Sequence, residues 1–157
     1  SDIVGREVLI LQNKQTEFVE MYSDLLDSAE NRSMIVDLDG DSLSDVLIYG
    51  KGTVSGFPIV IYYNQGGGKF VRYDVNTSTS VIENLTLSDV DCDGLPDILW
   101  NSNSQLNWNA NLGRSFSTEK QIPGAAPREI KAMVAGTFGS ENESTVALAQ
   151  RDVAGSG

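Results

Sequence analysis

Two short motifs recur along this chain in fixed phase, and that phase constrains the fold more than any bulk property. The stretch "DVDCDGLPD" places Asp89, Asp91, Asp93 and Asp97 at positions 1, 3, 5 and 9 of a loop, with Gly94 at position 6. "DLDGDSLSD" places Asp37, Asp39, Asp41 and Asp45 at the same four positions, starting 52 residues earlier. A worn third copy, "TFGSENEST", puts Thr137, Gly139, Glu141 and Thr145 there, starting 48 residues after the second. The other motif is a polar or glycine-rich turn that follows an asparagine and ends on a phenylalanine. It reads "LQNKQTEF", "YYNQGGGKF" and "NANLGRSF", ending at Phe18, Phe70 and Phe116, which precede the next loop by 19, 19 and 21 residues. Two unrelated motifs keeping step with each other define an internal repeat of about 50 residues.

Four carboxylates in nine residues repel one another unless something positive sits among them. Oxygen ligands on alternate residues of a tight turn converge on one point, which is the pattern of a hard cation such as calcium, with its six to eight oxygens. The main-chain carbonyls of Leu43 and Leu95, at position 7, would add an oxygen to each loop. The third copy keeps one carboxylate and does not support a site. An EF-hand needs a glutamate at position 12, where the second loop has Trp100. Here Asp97 closes the loop early, and Ile98, Leu99 and Trp100 run on as a strand, while Leu85 and Leu87 alternate on the other side. The first loop lies in the same way between Met34-Ile35-Val36 and Val46-Leu47-Ile48-Tyr49. Each acidic loop is therefore expected to join two β-strands. Gly66, Gly67 and Gly68 read as a hairpin turn, since neither a Lys-Ser/Thr pair nor a helical pattern follows them.

Each unit then holds four strands: one before the loop, one after it, a third near residues 58 to 63 in the first unit, and a fourth starting at the turn phenylalanine. Four strands in a period near 50 describe a propeller blade, and the continuous apolar runs at 46–49 and 59–63 suit sheets covered on both faces. "VDLDGDSLSDVLI" and "SDVDCDGLPDILW" resemble the FG-GAP/VCBS-type repeats of integrin-α-like β-propellers, and "VAGTFGSENESTVALA" is similar to their degenerate copies. The resemblance covers most of residues 1 to 150. It implies an all-β fold and a calcium-ligand role for the eight aspartates, Asp37, Asp39, Asp41, Asp45, Asp89, Asp91, Asp93 and Asp97. Two departures stand out. The first loop has Gly40 at position 4 and Ser42 at position 6, so its turn is expected to be strained or to follow another path. The Phe-Gly-Gly-Ala-Pro string is absent, with "PGAAP" at 123–127 as its echo, so the likeness is to the superfamily and not to integrins. The expected organisation is β-propeller blades of four antiparallel strands: outer strands of a preceding blade at 1–30, a blade with the first calcium loop at 31–83, a blade with the second at 84–130, and the start of a degenerate blade with a tail at 131–157. Propellers close with about four to eight blades, so two complete blades with partial flanks point to a fragment, an array completed by a partner, or a domain that closes by oligomerising.

Composition narrows the function. With 40% hydrophobic and 21% charged residues the chain has the make-up of a globular protein. No apolar run reaches the length of a membrane span, and no basic-then-apolar leader opens the sequence. A net charge of −11 with scattered basic residues argues against nucleic acid. There is no histidine and a single cysteine, Cys92, which removes the usual general base, most zinc sites and any internal disulfide. No nucleophile constellation is present, so the expectation is no enzymatic activity. The leading reading is a non-catalytic, calcium-stabilised propeller segment serving protein-protein interaction or adhesion outside the cell or at its surface, where millimolar calcium fills modest sites. Two alternatives stay open. One is a carbohydrate-binding propeller using Trp100, Trp108, Tyr62 and Tyr63, most of which read more simply as packing between blades, with Trp108 in polar surroundings that could expose it. The other is a scaffold segment of a secreted toxin component or enzyme. Asn31, Asn76, Asn84 and Asn142 open glycosylation sequons, a weak sign of secretion in so Asn-, Ser- and Thr-rich a chain.

Overall fold

The computed structural model describes residues 6–13, 18–26, 31–50, 57–79, 81–123, 129–137 and 144–151, and among them every regular element is a β-strand. In chain order these are β1 (Arg6–Asn13), β2 (Phe18–Leu26), β3 (Arg32–Val36), β4 (Asp45–Tyr49), β5 (Ile59–Asn64), β6 (Phe70–Val75), β7 (Asn84–Ser88), β8 (Asp97–Ser102), β9 (Gln105–Asn109), β10 (Lys120–Gln121), β11 (Glu129–Thr137) and β12 (Ser144–Arg151). They form two four-stranded sheets, β3-β4-β5-β6 and β7-β8-β9-β10, and two hairpins, β1-β2 and β11-β12. All pairings are antiparallel between neighbours in sequence, so each four-stranded sheet is a simple meander. The sheets are not closed into a barrel, and the array is that of an incomplete propeller. No helix among the described residues is long and apolar enough to cross a membrane.

The continuous apolar runs become strands buried on both faces, as expected of sheets sandwiched between sheets. β5 is buried from Ile59 to Tyr63 and β8 throughout, whereas β3 and most of β6 are only partly buried or exposed. Three apolar clusters glue the array together. The largest joins Leu47, Ile59, Ile61 and Tyr63 of the first sheet to Leu85, Ile98 and Trp100 of the second. A second sets Ile48, Val60 and Tyr62 against Ile10 of β1, and a third sets Leu99 and Leu106 against Met133 of β11. Each fully buried side chain of this kind contributes roughly 1.5–3 kcal/mol relative to exposure, so stacking is the main source of stability.

The turns explain the register. Asn64 pairs with Phe70 across a tip where Gly66, Gly67 and Gly68 all have positive φ, which confirms the hairpin. Between β8 and β9 the two linking residues, Asn103 and Ser104, have φ of 48° and 67°, as a two-residue hairpin twisted to match its strands requires. One expectation needs correction. β2 and β6 begin at the turn phenylalanine, but Phe116 makes only an isolated bridge to Asn111, and the fourth strand of the second sheet is the two-residue β10. The residues from 117 to 119 separate them, where Ser117 N–H donates to Ala110 O and Ser117 Oγ accepts from Ala110 N–H. The worn third loop lies between β11 and β12, and its residues 138–143 fall outside the described residues.

Candidate metal centres

Both acidic loops lie between the first two strands of a sheet, β3-β4 and β7-β8, where antiparallel pairing up to Val36↔Asp45 and Ser88↔Asp97 brings their two ends together. Their hydrogen bonds repeat almost atom for atom. Asp37 accepts the N–H groups of Gly40 and Ser42 at 2.8 and 2.9 Å; Asp89 accepts those of Asp93 and Gly94, both at 3.0 Å. At position 5, Asp41 accepts from Leu43 N–H and Asp93 from Leu95 N–H, each at 2.8 Å. At position 9 the carboxylate accepts two backbone N–H groups: Asp45 from Leu38 (2.9 Å) and Asn64 (2.8 Å), Asp97 from Val90 (2.8 Å) and Asn111 (2.7 Å).

That last contact ties the two motifs together within each sheet. The asparagine of the turn motif delivers its N–H to the closing aspartate of the same sheet's loop, across 19 residues from Asp45 to Asn64 and 14 from Asp97 to Asn111. Asn64 also donates its side-chain amide to Ser44 O, and Asn111 donates to Pro96 O. Asn111 reaches further, donating to the buried Leu38 O of the first loop at 2.7 Å. The loops stand side by side, for a Cβ built on Gly40 would lie 3.6 Å from Leu95 Cδ2.

Within each loop, three of the four acids converge. Carboxylate oxygens of Asp37, Asp39 and Asp45 lie within 4.8 Å of one another, as do those of Asp89, Asp91 and Asp97. Points on a calcium coordination sphere of radius about 2.4 Å are separated by at most about 4.8 Å, so these donor sets fit a hard divalent cation in both chemistry and span. Asp41 and Asp93 are not in the triads. Each uses one oxygen to accept the position-7 N–H, which shapes the turn. For Leu43 and Leu95 the bonds seen are made by the N–H to position 5, and by these the two residues serve as turn formers.

Asp45 and Asp97 are fully buried. Burial pushes the Asp45 carboxyl above its ordinary range, against the pull of the Asn64 and Leu38 N–H groups, with Asp39 and Asp41 adding to the rise. Asp97 is raised for the same reason, burial first, opposed by the Asn111 and Val90 N–H groups and assisted by the charge of Asp91. A buried carboxylate raised by desolvation and like charge is the environment that a cation would relieve.

The strain anticipated at Ser42 is present, with φ of 69°, and it has a mirror that sequence spacing hid. Positions 4 and 6 are left-handed in both loops: Gly40 (76°) and Ser42 in the first, Cys92 (61°) and Gly94 (90°) in the second. Both loops follow one backbone path, and each has a glycine at only one of its two left-handed places. Cys92 is exposed.

The aromatic residues do not make a sugar shelf. Trp100, Tyr62 and Tyr63 are buried between sheets at 1%, 0% and 2% exposure, and the half-buried Trp108 lies under Lys120, whose Nζ is 4.6 Å from the ring centroid. Of the sequons, Asn76 is exposed, Asn84 commits its amide to Asn101 Oδ1 and Ile130 O, and Asn142 lies outside the described residues. The Asn31 amide nitrogen is buried.

Fold and loops together define a β-sheet repeat protein whose units are clasped by acidic turns able to hold a metal ion. Residues 37–100 match the model of an FG-GAP-like repeat, from the first aspartate of the first loop to Trp100 just beyond the second. No curated protein matches the chain.

Proposed function

We propose that this chain is a non-catalytic, calcium-binding β-propeller segment that serves protein-protein interaction or adhesion outside the cell or at its surface. The observation that supports it best is the pair of carboxylate triads, Asp37-Asp39-Asp45 and Asp89-Asp91-Asp97, held in the same hydrogen-bonded frame. Calcium in each would leave its charge inside the array, joining the first two strands of a sheet to the turn asparagine. The two ions would bring the net charge from −11 to −7. Their role in this reading is structural, because the closing aspartates are buried and already fixed by two N–H donors each, a geometry made for clasping and not for exchanging ligands.

The proposed division of the chain follows the repeat, with residues 1–30 and 131–157 belonging to incomplete blades on either side of 31–83 and 84–130. The partner in this reading is a protein or the remaining blades of the propeller, reached through the loops. The extracellular or surface location rests on the match between modest sites and millimolar calcium. Carbohydrate binding has less support, since three of its four aromatic candidates are buried.

The test is a thermal melt in about 1 mM calcium, in chelator and in magnesium. For a dissociation constant near 0.1 mM, linkage gives about 1.4 kcal/mol per site, or about 3–6 °C for a chain of this size. A calcium-specific rise that Asp97→Ala diminishes is the expected result. Identical melting in calcium and chelator, with no heat of binding by calorimetry, would falsify the proposal.

A further inference from the structure

The first loop has a resident cation of its own, supplied by the second sheet. Arg114 sits on the turn between β9 and β10, which is held rigid by Gly113 N–H on Asn111 Oδ1 and by Leu112 N–H on Ser115 O. From there its guanidinium crosses to the first sheet. Nε donates to Asp39 Oδ2 at 2.6 Å, Nη2 to Asp41 Oδ2 at 3.3 Å, and Nη1 to Gln65 Oε1 at 3.0 Å. The Asp39 side chain is only 3% exposed beneath it, while Arg114 is 52% exposed. All three acceptors belong to the first loop and the turn beside it, so the planar fork reads that surface as a unit.

Resting on the calcium reading above, we infer that Arg114 is a built-in competitor for the first loop: it weakens calcium binding there and steadies the loop when calcium is absent. Asp39 is common to the triad and to the ion pair. A calcium ion taking Asp39 would lie one carboxylate away from the guanidinium, and at roughly 5 Å in a mostly aqueous setting the repulsion between charges of +2 and +1 amounts to about a tenfold loss of affinity. Conversely, in the metal-free protein the same guanidinium offsets the crowding of Asp37, Asp39, Asp41 and Asp45. One residue thereby narrows the difference between the filled and empty states of the loop.

The experiment isolates the first loop with Asp91→Asn, which removes one carboxylate from the second triad at an exposed position, and compares Arg114 with Arg114→Gln in that background. Calcium calorimetry is expected to show about tenfold tighter binding in the glutamine variant, and melts in chelator are expected to show a lower transition than with arginine. Equal or weaker calcium binding by Arg114→Gln overturns the inference, because Arg114 would then be neutral or helpful to the metal. An unchanged melt in chelator overturns it as well, since the resident cation would not be steadying the empty loop. Failure of the underlying reading looks different: neither the natural chain nor any variant would give calcium heat, while the chelator melt would still report on Arg114.

Discussion

In the first sheet β4 and β5 bury Leu47, Ile48, Ile59, Val60, Ile61 and Tyr62. In the second, β8 and β9 bury Asn101, Ser102, Asn107 and Asn109 beside Ile98, Leu99 and Trp100. One interior is oil; the other is threaded with amides. Trp100 Nε1 donates to Asn109 Oδ1 at 2.7 Å, Asn109 donates to Ser117 O, and Asn101 donates to Glu83 while accepting from Asn84. Yet the acidic loops, the turn asparagines and the strand order of the two sheets coincide. The repeat is therefore carried by the acidic loop and the turn asparagine, and the interior between them is free to be apolar or polar provided every buried donor and acceptor is matched.

If that is right, the two sheets should respond differently to matched substitutions. The largest difference is expected between the turn asparagines. Both substitutions free a turn N–H, Gly113 or Gly66, but Asn111→Ala also leaves Leu38 O and Pro96 O without their donor in a buried place and should cost about 3 kcal/mol, whereas Asn64→Ala also frees the more accessible Ser44 O and should cost about 1 kcal/mol. Denaturant midpoints measure both, and equal losses would break the comparison. Next comes Trp100→Phe, which orphans the buried Asn109 Oδ1 and should cost about 2 kcal/mol; its positional counterpart Ile48→Val removes one methylene and should cost about 1 kcal/mol.

A smaller effect is expected at the seam. Tyr63 donates its hydroxyl to Gly113 O at 3.3 Å and stands edge-on to Tyr73. Burial, above all, pushes its phenol up, and the nearby Asp45 charge adds to this. Because the folded chain holds that proton more tightly than the unfolded chain, stability is unaffected by this group below the ordinary tyrosine value near ~10 and declines as pH rises past it. Tyr63→Phe should remove part of the alkaline decline while costing under about 1 kcal/mol at neutral pH, a contrast that melts at two pH values would detect. Smallest of all, Ser42→Gly and Cys92→Gly should each stabilise by about 0.5 kcal/mol, left-handed strain being relieved against the greater freedom of glycine in the unfolded chain. A loss of stability at either would mean that the side chain itself contributes more than the strain costs.

Much of this frame was legible in the chain. Alternating aspartates, a glycine triplet and apolar runs of four and five residues report on local geometry, and the acidic loops, the hairpin at 66–68 and the doubly covered strands follow from them. What escaped were contacts made across the seam between sheets. Nothing near Asp39 in sequence foretells Arg114, 75 residues away, and nothing near Leu38 foretells Asn111, 73 residues away. The convergence of positions 1, 3 and 9 without position 5 escaped for another reason: Asp41 and Asp93 can close the turn on the position-7 N–H, a role that spacing alone cannot separate from pointing inward. The left-handed Cys92 could have been found, since the first loop's Gly40 occupies the same place and only a residue-by-residue alignment of the two copies exposes it.

Asn111 also determines how finely this chain can be dissected. Cut after the first sheet, at the linker that leads to β7, and the excised unit would keep its loop, its four strands and its own turn asparagine. It would lose the only amide that reaches Leu38 O among the described residues, together with the apolar face supplied by Leu85, Ile98 and Trp100. A lone unit of this kind would expose a hydrophobic wall and carry an unanswered carbonyl beneath it. The smallest piece worth expressing by itself is the neighbouring pair.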